Sequence, residues 1–193
     1  MSLIPRIRPR RMTIAAALAT ALGVAALIPS IAAGTVPTTA PPGATVTTID
    51  IKMKHGLPEF VGPASVKTGD YLQVVNQTKP SQIGPHTFAL VTPGSVPKTK
   101  KQRHLCFTKH HICLAIAQWL GSNGKTPPTI NPSDPGLPGW DTMGDVNKTG
   151  DAWFTGNKPN TSIVQPVSAA AGTTLTFQCA IHPWMHGSIQ VTG

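Results

Sequence analysis

A chain of 193 residues allows one domain of ordinary size with additions, and it leaves no room for two large ones. Only 12% of the residues are charged, against 20 prolines and 18 glycines; this suits short strands joined by turns and argues against a helical bundle. The net charge is +9, but Arg6, Arg8, Arg10 and Arg11 supply four of those charges, leaving +5 (9 − 4) without them; with aromatics at 5% and no stacking pattern, the chain does not read as a nucleic-acid binder.

Residues 1–13 are basic, 14–28 are apolar, and 29–34 carry the small residues of a cleavage site. This is the pattern of a secretory signal peptide over 1–33, cut after Ala32 or Ala33. An uncleaved anchor is the alternative, since the apolar run counted to Ala33 reaches about 20 residues. Arg10-Arg11 fits a twin-arginine signal only in part, so the export route stays open. The expected location is the periplasm, the cell envelope or the exterior. Residues 34–45 read as a flexible Pro/Thr-rich linker, and the folded domain as 46–193.

Strands are expected at 45–53, at 60–67 with a break at Pro63, at 71–76, 86–91, 161–167, 172–178 and 188–192. Six or seven short strands with turn signals predict an all-β sandwich or barrel. The span 94–159 breaks this rhythm and reads as a partly helical insertion on one flank of the strands. Its basic run, Lys98, Lys100, Lys101 and Arg103, reads as a solvated face that also suits an acidic partner or an anionic envelope surface. Its helix is expected at 108–120, where Ile112, Ala115, Ile116, Trp119 and Leu120 share one face, Thr108 caps the start and Gly121 the end. Residues 126–139 read as loop.

Three cysteines leave one unpaired. Cys106 and Cys113 are seven apart and suit a small disulfide in an oxidising compartment, which leaves Cys179 free; pairing Cys179 with either of the others is the alternative. Cys179 opens the stretch Cys179-Ala180-Ile181-His182-Pro183-Trp184-Met185, which lies between the last two expected strands. A thiol, an imidazole and a thioether on one short loop suit copper better than any other common metal. His86, at the start of its strand, is the candidate fourth ligand. A His2Cys plane with a weak axial thioether is a compromise between the geometries of Cu(I) and Cu(II). The proposed set is thus His86, Cys179 as thiolate, His182, and Met185 as axial ligand, with His186 as the rival to Met185. His104, His110 and His111 near the other two cysteines read as exposed, with a second metal site as the alternative.

This loop, with Gly187 and a final strand after it and Asn76…Pro85-His86-Thr87-Phe88 upstream, resembles the cupredoxins, the type 1 blue copper proteins of the plastocyanin, amicyanin and pseudoazurin kind. The resemblance covers roughly 46–91 and 163–193 and not the insertion. It implies a Greek-key β-sandwich, one copper ion cycling between Cu(I) and Cu(II), and electron transfer without substrate turnover. It also implies docking of redox protein partners through an apolar patch at the second histidine, to which Pro183 and Trp184 would contribute. The residue after the first histidine is Asn in many relatives and Thr87 here, whose hydroxyl would tie the two ligand loops instead.

The expected function is an exported, monomeric one-electron carrier. Alternatives are a copper storage or delivery protein, and a cupredoxin-like module that binds no metal. An enzyme is not expected: one Glu and six Asp form no acid pair or nucleophilic constellation in the sequence, and the chain is too short to add further copper centres.

Overall fold

The computed structural model describes residues 39–128 and 139–193. The expected signal peptide, the first part of the linker, and most of the loop at 126–139 lie outside these residues. Among the described residues no helix is long and apolar enough to cross a membrane.

The strands are β1 (Val46–Lys54), β2 (Leu57–Val61), β3 (Ser65–Lys67), β4 (Tyr71–Asn76), β5 (Thr87–Leu90), β6 (Ala152–Phe154), β7 (Ser162–Pro166), β8 (Thr174–Gln178) and β9 (His186–Thr192). The helices are α1 (Pro80–Ile83), α2 (Lys100–Leu105) and α3 (Ile112–Trp119). One sheet runs β2-β1-β4-β7, the other β3-β9-β8-β5-β6. Two pairings are parallel, β1 with β4 and β3 with β9; the rest are antiparallel. The fold is an all-β two-sheet sandwich, as the strand pattern predicts.

Strand β4 shows why the sheets pack. Leu72, Val74 and Asn76 point inward, while Tyr71, Gln73 and Val75 are partly exposed, the period-two alternation of a half-buried strand. From the facing sheet, Phe88, Leu90, Leu175, Phe177, Ile189 and Val191 close the same core. Phe88 and Phe177 stack at 4.9 Å, and Phe60 meets both edge-on. Gly187, across from Phe177 in the β8–β9 ladder, leaves this ring its space: a Cβ there would lie 2.5 Å from Phe177 Cε2.

The expected strand at 60–67 divides. Its first part, β2, pairs with β1; its second, β3, crosses to the other sheet and pairs with β9. The break falls at Gly62-Pro63, where proline cannot donate to a ladder and a Cβ on Gly62 would come within 2.9 Å of Ile49 Cγ1.

The insertion is more deeply woven in than a flank. It supplies β6 to the sheet edge and places Trp140 and Trp153 in the sandwich core, where Trp140 donates to the Leu72 carbonyl at 3.2 Å. Strand β5 is buried on both faces as a result. Phe88 and Leu90 enter the sandwich, while Ala89 and Val91 face a second apolar cluster built from Ile112, Ala115, Ile116, Leu120, Ala152 and Phe154.

Two helical expectations change. Lys100, Lys101 and Arg103 of the basic run lie on α2, with Lys98 just before it; the helix begins with a capping box, in which Thr99 Oγ1 accepts from Gln102 N and the Gln102 side chain accepts from Thr99 N. The later helix starts at Ile112, not at 108. Thr108 Oγ1 donates to the Leu105 carbonyl at 2.7 Å and so does not cap it, and His110 takes a left-handed φ of 67°, which breaks the helix before it begins. The disulfide between Cys106 and Cys113 closes this turn, and Gly121, at a φ of 75°, ends the helix as expected.

Replacing both Cys106 and Cys113 with serine is expected to cost about 2.5 kcal/mol, the loop-closure entropy of so short a ring. Chemical denaturation of the double variant, compared with the parent under oxidising conditions, measures it.

Candidate metal centre

The sandwich brings three side chains from distant parts of the chain to one end. His86 stands just before β5, Cys179 just after β8, and His182 in the loop between β8 and β9. One ligand atom from each lies within 4.8 Å of the others, and all three residues are buried. Cys179 Sγ is 3.7 Å from His182 Nδ1, and the two imidazole centroids are 4.7 Å apart. Among the described residues this is the one such group of three or more His, Cys, Asp or Glu side chains.

The outer hydrogen bonds fix the tautomers. His182 Nε2 lies 3.1 Å from the Ile83 carbonyl, which only accepts, so Nε2 carries the proton and Nδ1 presents a lone pair beside Cys179. At His86, Thr78 Oγ1 donates its one hydrogen to Asn76 Oδ1 at 2.7 Å. The 3.1 Å contact between Thr78 Oγ1 and His86 Nε2 is then donated by the imidazole. His86 Nδ1 is left buried and without a hydrogen-bond partner. An unpartnered buried nitrogen, in a residue grouped with a thiol and a second imidazole, fits a metal that takes nitrogen and sulfur.

The two ligand segments are tied by Thr87. Its Oγ1 accepts from Ala180 N at 2.7 Å, and its N–H points at Cys179 Sγ at 3.4 Å. The hydroxyl thus links the two loops, as the resemblance implies. The loop closes on itself through Cys179 N to the Met185 carbonyl and Met185 N to the His182 carbonyl. Thr155 adds a brace that sequence reading missed: its hydroxyl accepts from His86 N at 2.9 Å, across 69 residues. Thr78 and Ile83 were equally invisible as partners, for no local pattern links them to a histidine.

Met185 is 2% exposed and packs in the sandwich core with Cys179. His186, its rival, begins β9 on the exposed side and lies outside the ligand group. His104 and His110 are exposed and His111 partly so, and they form no ligand group with the cysteines, which are bonded to each other. Trp184 meets the His182 ring edge-on at 5.2 Å and is itself 40% exposed, with Pro183 partly exposed beside it.

Burial sets the electrostatics. Desolvation, and then the neighbouring His182, push His86 down to about 4, and desolvation lowers His182 against the pull of the Ile83 carbonyl. Desolvation pushes the Cys179 thiol up, with the N–H groups of Thr87, His182 and Ile181 opposing. Empty of metal, the site therefore holds neutral imidazoles and a neutral thiol.

Two facing sheets carry His86 just before β5, and Cys179 and His182 on the loop joining β8 and β9. The chain has the cupredoxin fold. Solved cupredoxins overlay on it with low scores. A copper(I) form of an amicyanin variant is 15% identical, covering 81% of this chain and 96% of its own, at a TM-score of 0.35. Auracyanin B is 13% identical, covering 82% and 94%, at 0.42. The dithionite-reduced auracyanin of Roseiflexus castenholzii is 17% identical, covering 78% and 100%, at 0.37. Scores this low add no weight to what the strand order and ligand loops establish. No protein-family model and no curated protein sequence matches the chain.

The depressed histidines predict an acid-labile apo protein. Above pH 6.5 both states hold neutral imidazole; between 6.5 and about 4 the unfolded chain binds a proton that His86 in the fold refuses, so stability falls with pH across that window and levels off below it. His86 alone contributes a loss of about 3 kcal/mol. The raised thiol acts oppositely, reducing stability as pH climbs past the ordinary thiol range. Denaturant midpoints of the metal-free protein across pH should show a maximum between these limits.

Proposed function

We propose that the protein is a type 1 copper protein carrying one electron at a time between redox partners, without acting as an enzyme. The observation that supports it best is the buried His86–Cys179–His182 group, in which His86 Nδ1 has no hydrogen-bond partner and His182 Nδ1 lies 3.7 Å from the Cys179 thiol. His86, Cys179 and His182 would hold the ion, with Met185 as the weak axial ligand. Copper supplies the one-electron couple between Cu(I) and Cu(II).

The chain's own residues supply the rest. Thr78, Ile83, Thr87 and Thr155 hold the ligand segments in place through hydrogen bonds to groups that do not face the metal. A frame fixed in this way favours little rearrangement when charge changes. That separates a carrier from a storage or delivery protein, which must open to release its ion. Burial of His86, Cys179 and Met185 keeps water away, while His182, at 8% exposure, is the ligand nearest the surface. Export fits the reading: Cys106 and Cys113 form a disulfide, a bond that persists in oxidising compartments, and Cys179 is free.

Loading the purified protein with Cu(II) should give an intense visible charge-transfer band and a reversible one-electron wave. Cys179→Ser should abolish the band, His186→Ala should keep it, and Met185→Gln should shift the potential. A missing band, or one that survives Cys179→Ser, would sink the proposal; a band without a reversible wave would point to delivery. Thr78→Val, which removes the acceptor for His86 Nε2–H, should weaken copper binding by about 10- to 100-fold, read by competition with a chelator.

A further inference from the structure

We propose that the insertion builds a docking face beside the copper loop, with Phe107 and Trp184 as its apolar contacts and the cations of α2 as its charged rim, and that its occupant is an acidic redox protein. This rests on the carrier reading and names the partner of that site.

The apolar part is read from exposure. Among the described residues six large apolar side chains are conspicuously exposed, and the two aromatic ones, Phe107 and Trp184, both lie at the ligand loops. Trp184 packs against His182, the ligand nearest the surface. Phe107 lines a cavity of about 360 Å³ with Pro85, Ala180 and Ile181, which adjoin His86, Cys179 and His182 in the chain. Phe107 comes from the insertion, so this chain adds an aromatic contact of its own to the ligand end of the sandwich.

The charged part comes from the same segment. Lys98, Lys100, Lys101 and Lys109 are exposed, with half-buried Arg103 among them. No acidic residue occurs in the sequence between Asp70 and Asp134. The ion pairs found among the described residues, Lys52 with Asp50 and Lys54 with Glu59, lie in the other sheet, so the cations around α2 have no counter-charge there. Uncompensated charge of one sign steers an oppositely charged partner and repels a like one.

The fold holds this rim next to the loop. Cys106 caps α2 and is bonded to Cys113, and both are buried in the cluster that takes in Ala180, the residue after Cys179. An acidic protein seated here would set carboxylates on α2 and apolar surface on Phe107 and Trp184. One electron would pass from its reduced centre to the bound metal near the His182 edge; the partner is oxidised by one electron, and no bond forms or breaks.

The test uses a c-type cytochrome of net negative charge and one of net positive charge as probes, with the full copper-loaded protein in stopped flow. The acidic probe should react faster at low ionic strength, its rate falling about tenfold or more between roughly 10 mM and 300 mM salt. The K100E/K101E double variant should slow it about tenfold at low salt with the visible band unchanged, while K67E, on β3 and equally exposed, should change it less than twofold. Trp184→Ala or Phe107→Ala should slow it at high salt as well. A salt-independent rate, a faster reaction with the basic probe, or equal effects of K67E and the double variant would overturn the proposal. Titration of the metal-free protein with the acidic probe, followed by amide chemical shifts, reads docking separately. Shifts confined to α2 and the loop at 181–186 support the face even if no blue site forms, and shifts elsewhere or none overturn it even if one does.

Discussion

Each imidazole at this centre is anchored by the nitrogen that faces away from it, and the site depends on that. The Ile83 carbonyl accepts the hydrogen bond from His182 Nε2–H, and Thr78 Oγ1, committed to Asn76 as donor, accepts that from His86 Nε2–H. Remove either acceptor and the ring is free to turn over, burying its lone pair in the wrong direction. The rest of the molecule can be read as the means of delivering those acceptors. The short turn α1 ends on Ile83, and β4 ends on Asn76. Neither residue touches the place a metal would take, yet both decide which atom meets it.

A second dependence is architectural. The ligand loop is held between two apolar clusters, not against one. Cys179 and Met185 belong to the sandwich core, Ala180 belongs to the core beneath the insertion, and Ile181 packs against both. Strands β5 and β6 divide their side chains between the same two clusters, so the sheet acts as a partition between them. Close packing on both sides leaves such a loop little freedom to relax.

The centre was readable from the sequence because its chemistry is local. Cys179 and His182, two of the three grouped side chains, are three positions apart, and cysteine counting pointed to the unpaired thiol. Most strands were legible for a similar reason: alternation such as that of Leu72 and Val74 is a property of neighbours in the chain. What escaped notice depends on distant residues or on short segments. Strand β6 is three residues of Ala-Trp-Phe, buried on both faces, with no alternation to detect. Helix α2 carries its capping box in plain sight at Thr99 and Gln102, but its charged surface was read as a solvated run. The start of α3 was misplaced because an apolar stripe says nothing of a disulfide that bends the chain before it. The partners of the histidines, Thr78, Ile83 and Thr155, could be found only once the strands had been folded together.

The placement of β9 has a consequence for assembly. Among the described residues it follows every other strand in the chain, yet it lies inside the sheet, between β3 and β8, and its neighbour β3 has no other partner there. The parallel pairing of β3 with β9 joins residues more than a hundred positions apart, so the second sheet cannot close until β9 has arrived. Contacts of such long range make a chain slow to fold. They also give it an all-or-nothing character, since a chain cut short before β9 would lose a sheet edge and one of the two strands that hold the ligand loop.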